Sequence, residues 1–236
     1  MEARERVVFL DTETTGLDAR LGHRIIEVAA IEALGRDLTG NQLHRYLDPE
    51  REVDAGATAV HGLSWDDLRG KPKFASIADE LLKFMEGARV VIHNAAFDVS
   101  FLDQELARLR LPPVAKRDIV VTDSLLLARE KFPGKRNSLD ALCDRLGVDN
   151  SHRNLHGALL DARLLAEVFF ALTRGQGTLE IDVMESTENP MEPTVNGPPR
   201  QLLPMFEVSV SPSGLIANAD YLERLAKQSG VRRGRA

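Results

Sequence analysis

The sequence predicts an α/β protein in which a mixed β-sheet is flanked by helices. Two observations carry that prediction. Three strand-like runs follow one another early in the chain, and strand-like and helix-like stretches then alternate. The 236 residues are 43% hydrophobic and 28% charged, an ordinary soluble balance with enough chain to bury a real core.

Val7 to Leu10 is a short β-branched and aromatic run and reads as the first strand. Arg24 to Leu34 reads as the second and Gln42 to Leu47 as the third. Ile77, Ala78, Leu81, Leu82 and Met85 keep helical spacing, with Gly87 placed to cap the helix. Arg89 to His93 is a fourth strand, followed by a helical stripe of Phe97, Phe101, Leu102, Leu106 and Leu109. Asp118 to Val121 is a short fifth strand. Ser138 to Leu146 is a helix stopped by Gly147, and its inner face makes Cys143 a small buried hydrophobe. The last helix runs from about Gly157 to Leu172.

Composition divides the chain. Six of the eleven prolines fall between Pro190 and Pro212, and Glu180 to Glu192 holds five acidic residues and no basic one. Like charges and proline deny such a stretch a core. The predicted organisation is therefore a body over 1–180, a flexible linker over 181–201 and a C-terminal segment over 202–236. The single cysteine, Cys143, excludes a disulfide framework and a cysteine-based zinc site. The net charge of −6 excludes nucleic-acid binding by bulk positive charge, though not by a local site. The apolar run before Asp11 is too short for a signal peptide or a membrane span, so a cytoplasmic protein without membrane contact is expected.

The carboxylates are the informative residues. Asp11 and Glu13 follow the first strand at i and i+2, the spacing that aims two side chains to one face. Paired carboxylates repel unless a cation lies between them, and oxygen-rich sites suit Mg²⁺ or Mn²⁺. An exposed acidic strand end is the plain alternative. Asp98 opens the helix after the fourth strand, where an acid also suits the helix dipole. Asp161 lies close to an apolar face of the last helix, where an acid needs a partner or a metal. His156 precedes it by five residues, at the helix start.

DTETTG, then HNAAFD, then H-x4-D in that order resembles the DEDD exonucleases of the histidine subtype. VTDSLLLARE, FPGKRNSLDALC and LHGALLDARLLAEV extend the resemblance, over residues 5–180, to the epsilon-subunit family, the proofreading exonucleases of bacterial DNA polymerase III. This resemblance implies a ribonuclease H-like fold and hydrolysis from a DNA 3′ end, releasing nucleoside 5′-monophosphates. It implies that Asp11, Glu13, Asp98 and Asp161 hold two divalent cations, Mg²⁺ or Mn²⁺, with Asp98 acting largely through water. His156 would be the general base. Thr14, Thr15, His61 and Phe97 would lie near the terminal nucleotide, Thr14 and Thr15 through backbone N–H groups. Lys131, Lys135 and Arg136 either touch the strand or form a solvated loop.

The same resemblance implies partners. The polymerase alpha subunit would hold residues 202–236. Gln176, Leu179 and Ile181 would form a weak sliding-clamp motif, and a further small subunit is conceivable for such a body. A linker of about 20 residues spans roughly 25 Å, enough to keep the nuclease beside the polymerase. Three other readings use the same residues: zinc on His152 and His156, an exonuclease trimming RNA ends, and a non-catalytic interaction module. The missing Glu after His152 argues against zinc, and the complete set of site residues argues against a silent module.

Overall fold

The computed structural model describes residues 4–174, apart from 152 and 154. The linker, the C-terminal segment, the clamp motif at Gln176, Leu179 and Ile181, and His152 lie outside the described residues. Five strands form one mixed sheet: β1 (Arg6–Thr14), β2 (Ile25–Leu34), β3 (Asp37–Tyr46), β4 (Arg89–Ile92) and β5 (Val120–Asp123). Their order across the sheet is β3-β2-β1-β4-β5. β1, β2 and β3 pair antiparallel, while β4 pairs parallel with both β1 and β5.

Among the described residues, seven α-helices accompany the sheet: α1 (Ala55–His61), α2 (Trp65–Leu68), α3 (Phe74–Met85), α4 (Ala95–Arg108), α5 (Ser124–Lys131), α6 (Leu139–Leu146) and α7 (Ala158–Leu172). The alternation of side chains along β1 sorts them into layers. Val8 and Leu10 pack with Ile77, Leu81 and Met85 of α3 and Phe101, Leu102 and Leu106 of α4. Val7 and Phe9 pack on the other face, with Leu142 and Cys143 of α6 and Leu164, Leu165, Val168 and Phe169 of α7. Cys143 is fully buried there, as expected, and burial pushes its thiol up to about 11.

The strands differ from the sequence reading in extent. β1 continues through Asp11 and Glu13, because each finds a partner on β2: Asp11 opposite Ala29, Glu13 opposite Glu27. β3 starts earlier than predicted, and β5 lies two residues later. Three helices have no apolar stripe in the sequence. α1 is built from small residues, α2 is a single turn held by a Ser64–Asp67 capping box, and α5 is started by Asp123, whose carboxylate accepts from the N–H groups of Leu125 and Leu126. Such helices form from caps and tertiary packing rather than from periodicity. Among the described residues, no helix is long and apolar enough to cross a membrane.

Candidate active site

Asp11 and Glu13 share the face of β1 that bears Val7 and Phe9, so both side chains point toward α7. α7 turns Asp161 back toward them from its first turn. Thr12, between the two acids, necessarily points to the opposite face. There its hydroxyl donates to the buried Asp98 carboxylate at 2.7 Å. Asp98 sits in the first turn of α4, which starts directly after β4. Asn94 makes that turn with a left-handed backbone, φ 66°, while Asp123 accepts from the N–H groups of Asn94 and Ala95.

Burial without enough positive charge leaves its mark on these acids. Burial first, then Asp98, Asp161 and Glu13, hold Asp11 well above the usual carboxylate range. Burial and then Asp161, Glu27 and Asp98 push Glu13 up to about 8. Burial pushes Asp98 up to about 7, against the hydrogen bond from Thr12. Glu13, His156 and Asp161 each offer a ligand atom, and these atoms lie within 4.8 Å of one another. Such a group, mostly carboxylate oxygen with one imidazole, fits a hard divalent cation, and so does the repulsion, which Arg153 relieves only in part.

The exonuclease family model, RNase_T, matches residues 8–169. The DNA polymerase III subunit epsilon of Salmonella typhimurium is 46% identical over 231 residues, covering 95% of this chain and 95% of that protein. The Escherichia coli subunit of the same name is 45% identical over 231 residues, again 95% of both. The chain belongs to the DNA polymerase III epsilon-subunit family. It is an epsilon-type 3′–5′ exonuclease with a ribonuclease H-like fold. The fold agrees with the solved nuclease domain of 3′hExo, a DEDDh family member bound to rAMP, at a TM-score of 0.62. That structure is 19% identical and covers 75% of this chain and 94% of its own.

Within this epsilon-family fold, the four acids and His156 converge on one end of β1. His156 is half-exposed, with Nδ1 3.3 Å from Asp161. Its loop is fixed to α1, where the His156 N–H donates to the Val60 carbonyl at 3.1 Å. Thr14, His61 and Phe97 line a groove of about 450 Å³ beside Glu13. His61 is buried, its Nδ1 accepting from the Leu63 N–H, and burial lowers its pKa.

Thr15 does not reach this groove, contrary to the sequence expectation. It is fully buried, and its N–H donates to the Arg24 carbonyl at 2.9 Å. Its hydroxyl meets the N–H of Arg24 and Nδ1 of His23, each at 3.0 Å. Thr15 therefore anchors the turn rather than the nucleotide. Lys131 is also committed elsewhere: its ammonium donates to the Leu172 carbonyl at the end of α7. Sequence reasoning missed three residues of the site. Thr12 holds Asp98, and His23 fills the space beside Gly16, where an added Cβ would lie 2.3 Å from its ring. Arg153 makes a two-pronged pair with Asp161, at 2.6 Å from both Nε and Nη2. Thr12 was visible only as the residue between two acids, and Arg153 only as a loop cation.

Proposed function

We propose that Asp11, Glu13, Asp98 and Asp161 hold two divalent cations, Mg²⁺ or Mn²⁺, and that the site removes mispaired nucleotides from a DNA primer 3′ end. The convergence of Asp161 with Asp11, Glu13 and Asp98, three acids of raised proton affinity, beside one half-exposed imidazole carries this reading. When bound, the ions would neutralise phosphate oxygens and polarise the attacking water, charge stabilisation that the chain's own acids cannot give. Glu13 and Asp161 would ligate from β1 and α7, with Asp11 between them. Asp98, held by Thr12, would act from the second layer through water.

His156 would take the proton of the attacking water, since a neutral imidazole beside the acids offers a lone pair for it. Its exposure gives it a path to pass that proton to solvent. The groove would receive the terminal nucleotide, Phe97 and His61 packing on base and sugar and the Thr14 backbone meeting the sugar. Such contacts have no base preference. Selectivity for mispairs then arises because a mispaired end unpairs at less cost. The names of the relatives support residence in a DNA polymerase III assembly. Residues 202–236 would bind the alpha subunit, and Gln176, Leu179 and Ile181 the sliding clamp. A cytoplasmic location follows from that setting.

The deciding experiment compares 3′-ended single-stranded DNA and RNA, with Mg²⁺, with Mn²⁺ and with EDTA. Metal-dependent release of deoxynucleoside 5′-monophosphates, with RNA a poorer substrate, is expected. Equal digestion in EDTA would remove the two-cation reading, and a preference for RNA would remove the proofreading one.

A further inference from the structure

The guanidinium of Arg153 meets three partners at once. Nε and Nη2 donate to the two Asp161 oxygens, Nη1 pairs with Asp140, and Nη2 also lies 2.8 Å from Nδ1 of His156. The Arg153 side chain is only 6% exposed and that of Asp161 only 4%. Burial works against the Arg153 charge, but the bonds and charges of Asp161 and Asp140 outweigh it. An arginine does not give up its proton, so Nδ1 of His156 accepts with its lone pair and the ring proton sits on Nε2.

One cation thus occupies two groups that the reaction needs. Both Asp161 oxygens are bonded, and so is the lone pair with which His156 would take a proton. A divalent ion ligated by Asp161 requires at least one of those oxygens. Two cations sharing one buried carboxylate would also repel strongly. The His156 N–H is bonded to Val60, and Leu155 packs on Gly62, so the backbone has its own hold on α1. Asp140 lies at the rim with its side chain 53% exposed, on the solvent side of Arg153.

We propose that Arg153 is a positioning residue that competes with the divalent ion for Asp161 and, on ion binding, swings out on its tether to Asp140 and frees the His156 lone pair. This rests on the reading of Asp161 as an ion ligand. Its consequence is a base that becomes competent only when the ion is in place, which guards against an idle site.

Mn²⁺ binding to the full chain without DNA, followed by calorimetry and by electron paramagnetic resonance, tests the competition. Arg153→Ala should bind Mn²⁺ roughly tenfold more tightly, because a charged hydrogen-bond competitor is gone. Arg153→Lys should fall between it and the wild type, since an ammonium keeps the charge but not the fork. An arginine that merely supports the loop would leave affinity unchanged or lower in both. Unchanged or weaker binding by Arg153→Ala overturns the proposal. Wild-type protein that fails to bind Mn²⁺ would overturn the ion site itself and the competition with it.

Discussion

Removing divalent ions should make the stability of the fold fall as pH rises. Folding raises the proton affinity of Glu13 to about 8 and of Asp98 to about 7, and raises that of Asp11 as well. Between the unfolded and folded values, the native protein binds more protons than the unfolded chain. Its stability therefore decreases with pH across roughly pH 4 to 8. At 1.36 kcal/mol per unit, the Glu13 shift alone is worth about 5 kcal/mol, and between pH 5 and 8.5 Glu13 and Asp98 together should cost about 7 kcal/mol. For a body of this size that is a drop of about 15–30 °C in Tm. Surface carboxylates do not mask it: Asp18, held at about 2 by Arg20, is fully ionised over the whole window. His61 and His93 oppose it, since burial lowers both and favours the fold as pH rises from their folded toward their unfolded value. The comparison is therefore made at each pH between EDTA and Mn²⁺, where the histidine contributions cancel. The Tm gained from Mn²⁺ should be small at pH 5 and largest at pH 8.5. A gain independent of pH would refute the placement of unpaired, buried acids at the ion site.

Three substitutions follow from the same geometry. His156→Ala should lower kcat about 10²–10⁴-fold, the range of a lost general base, while Mn²⁺ titration shows the ions still bind. Gly16→Ala should destabilise by about 1–3 kcal/mol, because its Cβ would overlap the His23 ring, and His23→Ala in the same chain should recover most of the loss in a denaturant titration. Thr12→Val removes the donor to Asp98 at nearly constant volume, so turnover should fall and unfolding at pH 8 should show a loss of about 1.5–3 kcal/mol.

The sequence by itself determined the layers and the reactive groups. The β-branched and aromatic run of β1 and the helical spacing in α3, α4, α6 and α7 are local patterns, and they placed those elements within a few residues. The acids were legible because a carboxylate at a strand end or against an apolar stripe violates the pattern around it. α1, α2 and α5 were not legible, since caps and packing hold them rather than a stripe. Thr15 was misread because its motif position says nothing of where its N–H goes, and only the pairing with Arg24 removes it from the groove.

Tertiary structure alone decided which charges meet. Asp11 and Glu13 are about 150 residues from Asp161, and their spacing within the chain carries no information on contact. The parallel insertion of β4 beside β1 brings Asp98 behind Thr12, and α7 lays Asp161 over the same strand end. Arg153 depends on this assembly most of all. In the sequence it is one of 30 basic residues, mostly free to lie in water. Folding places its guanidinium among Asp140, His156 and Asp161, where burial turns a loop cation into the counter-charge of the site.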